Sequence, residues 1–332
     1  MSDTVPTAAN AATPVADAQP TDATTPGSGP RRPTSTVDPV ASRRRRRRLT
    51  SRAVLYTVMT AGAAFMVLPF VWMVLTSLKT PVEIASFPPT WIPGEWRFEN
   101  YTEALRAAPF AYYFRNSLII SIGQTLGTVV FGSMTGYALA RMRFRGRELV
   151  FLLFISMMMV PTYVKVLPQF LMMKMMPLFG GNDLLGQGGT GWLDSWYALI
   201  IPGAISPFAI FLFRQFYVTL PKDLEEAARI DGMSEFGIFA RIMTPLIKPA
   251  IATVALLQFQ NSWNNFLWPL LVTSRQELRV IQLGLAVFQQ SETTAWAYLM
   301  AGTALATLPM VLLFLVAQRY FVQGLSAVGV KG

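Results

Sequence analysis

A chain of 332 residues with no cysteine and no histidine has few side chains with which to do covalent or acid–base chemistry. Disulfides, thiolate-held zinc and iron–sulfur clusters, cysteine nucleophiles and histidine bases are excluded, which leaves carboxylate, Lys, Ser or Tyr chemistry. No carboxylate pair or Ser-Lys constellation falls on adjoining apolar stretches. No Gly-rich loop ends in Gly-Lys-Ser/Thr, the arrangement that cradles nucleotide phosphates. No residue therefore qualifies as catalytic or as a metal ligand. Polar groups do gather in two places. Gln258, Asn261, Asn264 and Asn265 occupy neighbouring helical positions, with the rings of Trp263 and Trp268 beside them. Asp223, Glu225 and Glu226 cluster at the head of a patterned polar segment, Leu220 to Ala250. The first group suits hydrogen bonding and stacking; the second presents negative charge.

The elements that must position these groups lie in lipid. The chain is 52% hydrophobic and 14% charged, against about a quarter charged for a soluble domain. Residues 1–50 are the exception: they are rich in Ala, Thr, Pro, Ser and Asp, bury too little apolar surface to offset chain entropy, and read as a disordered tail. The tail ends in six arginines, Arg43 to Arg48. Alone, such a run could bind nucleic acid. Here the charge-free stretch Val54–Ser77 follows, long enough to cross a core of about 30 Å, and the arginines read as its membrane anchor. That stretch is too long and too far from the N-terminus for a cleaved signal peptide.

Further apolar stretches at about 117–140, 149–172, 197–217, 249–273 and 297–321 bring the expected spans to six. Sorted by connection, 20 of the 28 Lys and Arg residues fall on the side of both termini and of the 141–147 and 214–248 connections. The positive-inside rule then places both termini in the cytoplasm. Pro69, Pro161, Pro168, Pro202, Pro207, Pro269 and Pro309 fall inside spans, where each frees a carbonyl that the bundle must satisfy. Such kinks fit either a pathway with moving walls or static packing. Lys165, in the third span, is the one clear intramembrane cation; its stem can snorkel to the outer interface or its charge can meet cargo.

The polar segment Leu220–Ala250 reads as a helix-turn-helix. Pro221 suits a helix start, the acids fall in early turns where the dipole favours them, and Gly232 can end the helix in the left-handed conformation. Ser234 can cap a second short helix before Pro245 turns the chain back to the membrane. This stretch resembles the coupling loop of binding-protein-dependent ABC importer permeases: Glu-Ala-Ala, three residues, Gly, nine residues, Ile, any residue, Leu-Pro. Glu226, Ala227, Ala228, Gly232, Ile242 and Pro245 stand at those places, Asp231 also fits, and Thr244 replaces the usual Leu. YALARMRFRGRELVF from Tyr137, IFLFRQFY from Ile210, NSWNNFLWPLLV from Asn261 and RYFVQGLSAVGVKG from Arg319 are similar to the sugar-importing branch, above all its maltose-type G subunit.

The resemblance implies an all-α polytopic bundle of the type I importer kind in residues 51–332, in a bacterial plasma membrane. It implies a second permease subunit, two cytoplasmic ATPases that bind ATP and Mg, and an extracytoplasmic solute-binding protein. This chain itself would bind no cofactor and no nucleic acid. Small residues at Ala227 and Ala228 would let the loop helix slot into an ATPase cleft, and Glu226 would meet a basic partner there. The connection Ser274–Ala295 would face the binding protein, and the tail from Gly324 would touch the ATPases. For Gln258, Asn261, Trp263, Asn264 and Asn265 two readings stand side by side, sugar contact along the path and helix-to-helix glue. A secondary transporter would show acidic residues within spans and two repeated halves, and neither is evident.

Overall fold

The computed structural model describes residues 39–289 and 294–328. Their regular elements are helical, apart from one isolated antiparallel bridge, Gln289 to Thr294. The chain divides into two units, 1–64 and 65–332. Helix α1 (Pro39–Ser77) begins in the first and carries Arg43–Arg48 on its opening turns; the rest of the expected tail lies outside the described residues.

In the second unit, α2 (Pro81–Ala85) and α3 (Glu99–Ala107) follow α1 and lead to α4 (Phe110–Arg141). Asn100 Nδ2 donates to Ser77 O at 2.9 Å and Lys79 O at 3.0 Å, satisfying carbonyls left open where α1 ends. Next come α5 (Arg147–Met159), α6 (Thr162–Lys174), α7 (Trp196–Ile200) and α8 (Pro207–Thr219). After the short α9 (Asp223–Ile230), a continuous helical run is built from α10 (Glu235–Gly237), a π-helical stretch Ile238–Met243 and α11 (Thr244–Leu246). Then α12 (Lys248–Trp263), α13 (Leu267–Val272), α14 (Ile281–Ala286) and α15 (Trp296–Val328) complete the described chain.

Helix α4 is the spine, packed along α8 and α12. Its glycines permit the approach: a Cβ on Gly136 would stand 2.7 Å from Phe213 Cβ and 3.0 Å from Arg214 N, and one on Gly127 would stand 2.6 Å from Ala204 Cβ. Without a hydrophobic drive between helices in lipid, such close backbone packing is what holds them together. One apolar cluster joins Tyr137 of α4 to Phe213 and Tyr217 of α8 and to Ile238, Met243 and Ile247. A second, at the other end of the bundle, gathers Phe110, Phe259, Trp263 and Ala306.

Three of the expected spans are single long apolar helices: Ser51–Ser77 in α1, Phe110–Arg141, and Trp296–Arg319 in α15. The other three expected stretches are divided into shorter helices, where the sequence reading had continuous spans. The third is α5 and α6, bent by 108°. Val160 there is extended (φ −76°, ψ 122°), the conformation a following proline favours. Pro161 has no N–H for the carbonyl of Met157, and Lys165 Nζ donates to that oxygen at 3.4 Å. Lys165 thus reaches back toward the helix break. The fourth span is interrupted between α7 and α8 around Pro202 and Pro207, and the fifth between α12 and α13 at Asn264–Phe266.

Candidate functional site

The hairpin of α9 and α10 is fixed by its own caps. At the end of α9, Gly232 N–H donates to Arg229 O and Met233 N–H to Ala228 O, each at 3.0 Å, while Gly232 sits at φ +78°. This is a Schellman termination, which a residue without a Cβ adopts at no steric cost. A Cβ on Gly232 would meet nothing within 4 Å, so the requirement is conformational and not one of space. Ser234 Oγ then accepts from Gly237 N–H at 3.2 Å and starts α10. Across the turn the Arg229 guanidinium donates to both Glu235 oxygens, at 2.7 and 3.2 Å. That fork holds the Glu235 carboxyl below its ordinary value near 4.5.

Two faces of α9 have different fates. Ala228 is buried in the cluster with Tyr137, Tyr217, Ile238 and Met243. Glu225, three residues earlier on the same face, has a side chain only 4% exposed. On the other face Glu226 and Ala227 are exposed with Ile230 (86%), and Phe236 of α10 is exposed as well (67%). Exposed apolar side chains near an acid are the kind of surface a partner can cover.

What Glu225 meets inside is Arg141, the last residue of α4, whose side chain is 5% exposed. Arg141 Nε lies 3.4 Å from Glu225 Oε1 and donates to Tyr217 O at 3.0 Å; Nη2 donates to Leu220 O. Those two carbonyls close the C-terminal end of α8, where the helix dipole favours a cation. Arg229 Nη2 stands 3.7 Å from Glu225 Oε2. Glu225 Oε1 accepts no hydrogen bond among the described residues, so charge alone compensates it there. Burial pushes the Glu225 carboxyl above its ordinary value, and Arg141 and then Arg229 pull against that.

Of the hairpin residues singled out in the sequence, Glu226, Ala227, Asp231, Gly232 and Pro245 are exposed, Ile242 is half-buried and Ala228 is buried. Ala227 and Ala228 therefore do not share a face. The chain turns at Ile247 (φ −100°, ψ 21°), with an 81° bend into α12, and not at Pro245. Pro245 lies inside the continuous helical run, just after the π-helical stretch Ile238–Met243. The pairing of Arg141 with Glu225 was missed by sequence reasoning, which had Glu225 only as an acid of the first turns. The available signal was the i, i+3 spacing of Glu225 and Ala228 and the position of Arg141 at the end of an uncharged span.

The amide group of the fifth span separates. Gln258 is buried; its Nε2 donates to Gly203 O at 3.0 Å and to Gln124 Oε1 at 3.3 Å, while Gln124 Nε2 donates to Leu199 O at 2.7 Å. Together they serve carbonyls opened by the break between α7 and α8. Trp263 is buried, stacked on Phe259, with Nε1 donating to Ala306 O at 3.0 Å. Trp268 likewise donates to Ala198 O, at 2.8 Å. Asn265 Oδ1 accepts from Trp268 N–H at 3.2 Å and so starts α13. Asn261 and Asn264 are exposed where α12 ends.

A broken-span helical bundle with a capped polar hairpin on its edge is the architecture of a membrane permease. Residues 128–327 match the family described as binding-protein-dependent transport system inner membrane component, and the chain belongs to that family. It is a multi-pass membrane protein of ABC transporter permease type. It is 40% identical over 241 residues to the arabinooligosaccharides transport system permease protein AraQ of Bacillus subtilis, covering 72% of this chain and 81% of that one. It is 32% identical over 280 residues to the lactose transport system permease protein LacG of Rhizobium radiobacter, covering 84% and 96%. In fold it is similar to a chain of a bacterial ABC transporter involved in the import of the acidic polysaccharide alginate, with TM-score 0.69 at 22% identity over 82% of this chain and 96% of that one.

Proposed function

We propose that this chain is one of two different permease subunits of an ABC importer that carries a sugar or oligosaccharide into the cytoplasm. Two separate ATPase subunits, binding ATP and Mg, drive it through α9, and an extracytoplasmic binding protein delivers the cargo to the side of Ser274–Ala295. Both termini lie in the cytoplasm, with residues 1–50 as a tail and 51–332 as the permease domain. The sugar assignment is drawn from relatives whose names specify arabinooligosaccharides and lactose.

One observation carries the coupling role. α9 is bolted to the bundle by one face and presents Glu226, Ala227 and Ile230 on the other, on a helix whose end is fixed by Gly232. A partner pushing on that face displaces the bundle and not merely a loop. Along the path, Gln258 and Trp263 are engaged in packing, which leaves Asn261 and Asn264 as the amides available to cargo from this subunit.

Ala227→Trp tests the assignment. The bulky ring would block close approach of an ATPase without touching the buried face. The expected outcome is a permease present in the membrane at its normal level that no longer retains the ATPase subunits on affinity purification and no longer supports ATP-dependent uptake. Normal ATPase retention and uptake in A227W would overturn it.

A further inference from the structure

Among the polar clusters outside the contact face, the one around Arg141 joins three elements that are far apart in sequence. Its guanidinium belongs to α4, the carbonyls of Tyr217 and Leu220 end α8, and Glu225 sits on α9. Both side chains of the ion pair are about as buried as the apolar core around them, with 5% and 4% exposure. Two ions removed from water are costly, and their attraction repays this only in good geometry, so the pair is a poor choice if adhesion were its whole purpose. Apolar packing of Ala228 against Ile238, Met243 and Tyr217 already supplies adhesion. A planar guanidinium that donates to two carbonyls, with its charge facing a buried carboxylate, adds fixed direction, which apolar packing does not.

We propose that Arg141 and Glu225 are positioning residues that lock α9 to the ends of α4 and α8, so that a push on α9 is delivered to these two membrane helices as a rigid displacement. The proposal rests on the coupling role given to α9 above and adds the place where force enters the bundle. Glu225 Oε1, without a hydrogen-bond donor, is held by charge, so its neutral isostere frees the joint without changing its shape. Arg229, which reaches Glu225 at 3.7 Å, is anchored on Glu235 at 2.7 Å and holds the hairpin to itself, not to the bundle. The two ion pairs therefore divide the labour: one shapes the lever and the other mounts it.

The test uses the whole complex, permease pair, ATPases and binding protein, reconstituted in vesicles with the sugar that the binding protein retains. Glu225→Gln and Arg141→Lys are compared with the unmodified protein for ATPase retention and for sugar moved per ATP hydrolysed. A purely structural defect lowers transport and hydrolysis together and leaves their ratio unchanged. The expected result is normal ATPase retention in both variants and a ratio lowered about fivefold or more in E225Q, the lower end of a coupling between distant sites. R141K, which keeps the charge but loses the fork, falls between. The double variant should lower the ratio by less than the two single effects combined, because both act on one contact. An unchanged ratio in E225Q, or failure of both variants to accumulate in the membrane, would overturn the proposal in favour of simple structural support. ATPase retention by A227W would instead strike at the coupling role itself, so the two failures are told apart.

Discussion

Glu225 and Glu226 are neighbours in sequence with opposite surroundings, and the difference is visible only from where α9 turns its faces. Glu225 is desolvated, and its folded value is raised. Its share of stability is therefore present below about pH 4.5 and lost as pH rises through the folded value. Glu235 runs the other way: Arg229 lowers its value, so its contribution is present above about pH 4.5 and lost as pH falls through the folded value. The hairpin turn is thus expected to loosen as pH falls below about 4.5 and Glu235 takes up a proton. Hydrogen exchange of the Met233–Gly237 amides, corrected for intrinsic rate, should show that loss of protection, and E235Q should already lack it at neutral pH. A flat profile in the unmodified protein would show that the Arg229 fork does not close the turn. At Gly232 the expectation is different in kind. Gly232→Val forces a β-branched residue to φ +78° in open space, a cost of about 1–2 kcal/mol from conformation alone. The protein should remain in the membrane while ATP-dependent uptake falls; full uptake and cargo-stimulated hydrolysis in G232V would count against the hairpin as lever.

The long helices and the hairpin were legible in the sequence because their causes are local. Charge-free runs marked α1, α4 and α15, and Gly232 and Ser234 wrote the turn and cap that the backbone adopts. The breaks were harder. Pro161 and Pro202 announced freed carbonyls, but which groups would serve them depends on neighbours distant in sequence: Lys165 for Met157, Gln258 and Gln124 for the carbonyls between α7 and α8. The same long-range matching decided that Gln258 and Trp263 are packing groups while Asn261 and Asn264 are exposed, and no spacing rule within the fifth span distinguishes them. Likewise Pro245 reads as a turn, yet the helical run continues through it and the bend falls two residues later, at Ile247. Close helix packing gives this scale its own test. Gly136→Ala would put a methyl 2.7 Å from Phe213 Cβ, 3.0 Å from Arg214 N and 3.2 Å from Ile210 O, two of them backbone atoms that cannot swing aside. Overpacking of this kind costs about 1–3 kcal/mol, more than the roughly 1 kcal/mol that Ala gains over Gly in helix propensity. Solubilised G136A should melt below the unmodified permease, whereas Gly62→Ala, where a Cβ meets nothing within 4 Å, should not.

At the scale of the whole molecule, the coupling role requires the α9–α10 hairpin to face the nucleotide. The charge distribution argues for it. The connections after α4 and α8 carry Arg143, Arg145, Arg147, Lys222, Arg229, Arg241 and Lys248, and 20 of 28 cations fall on the side they share with the termini. Interrupted helices are compatible with that argument, because a broken pair can cross once when its freed backbone groups are served from within the bundle, as Gln258 and Gln124 do between α7 and α8. The absence of cysteine from the chain makes the arrangement directly measurable by single substitutions. Leu184, exposed in the connection between α6 and α7, and Asp231, exposed at the end of α9, flank α7 and α8 and would fall on opposite sides of the membrane if that pair crosses once. In intact cells stripped of any outer barrier, a membrane-impermeant maleimide should label Leu184→Cys at once and Asp231→Cys only after the membrane is permeabilised. Labelling of D231C from outside would put the lever beyond the reach of ATP and end the coupling mechanism, whatever the family. Labelling of both residues from outside would mean that α7 and α8 enter and leave on one face, so that their break around Pro202 and Pro207 would be the tip of a re-entrant loop and not a kink in a span.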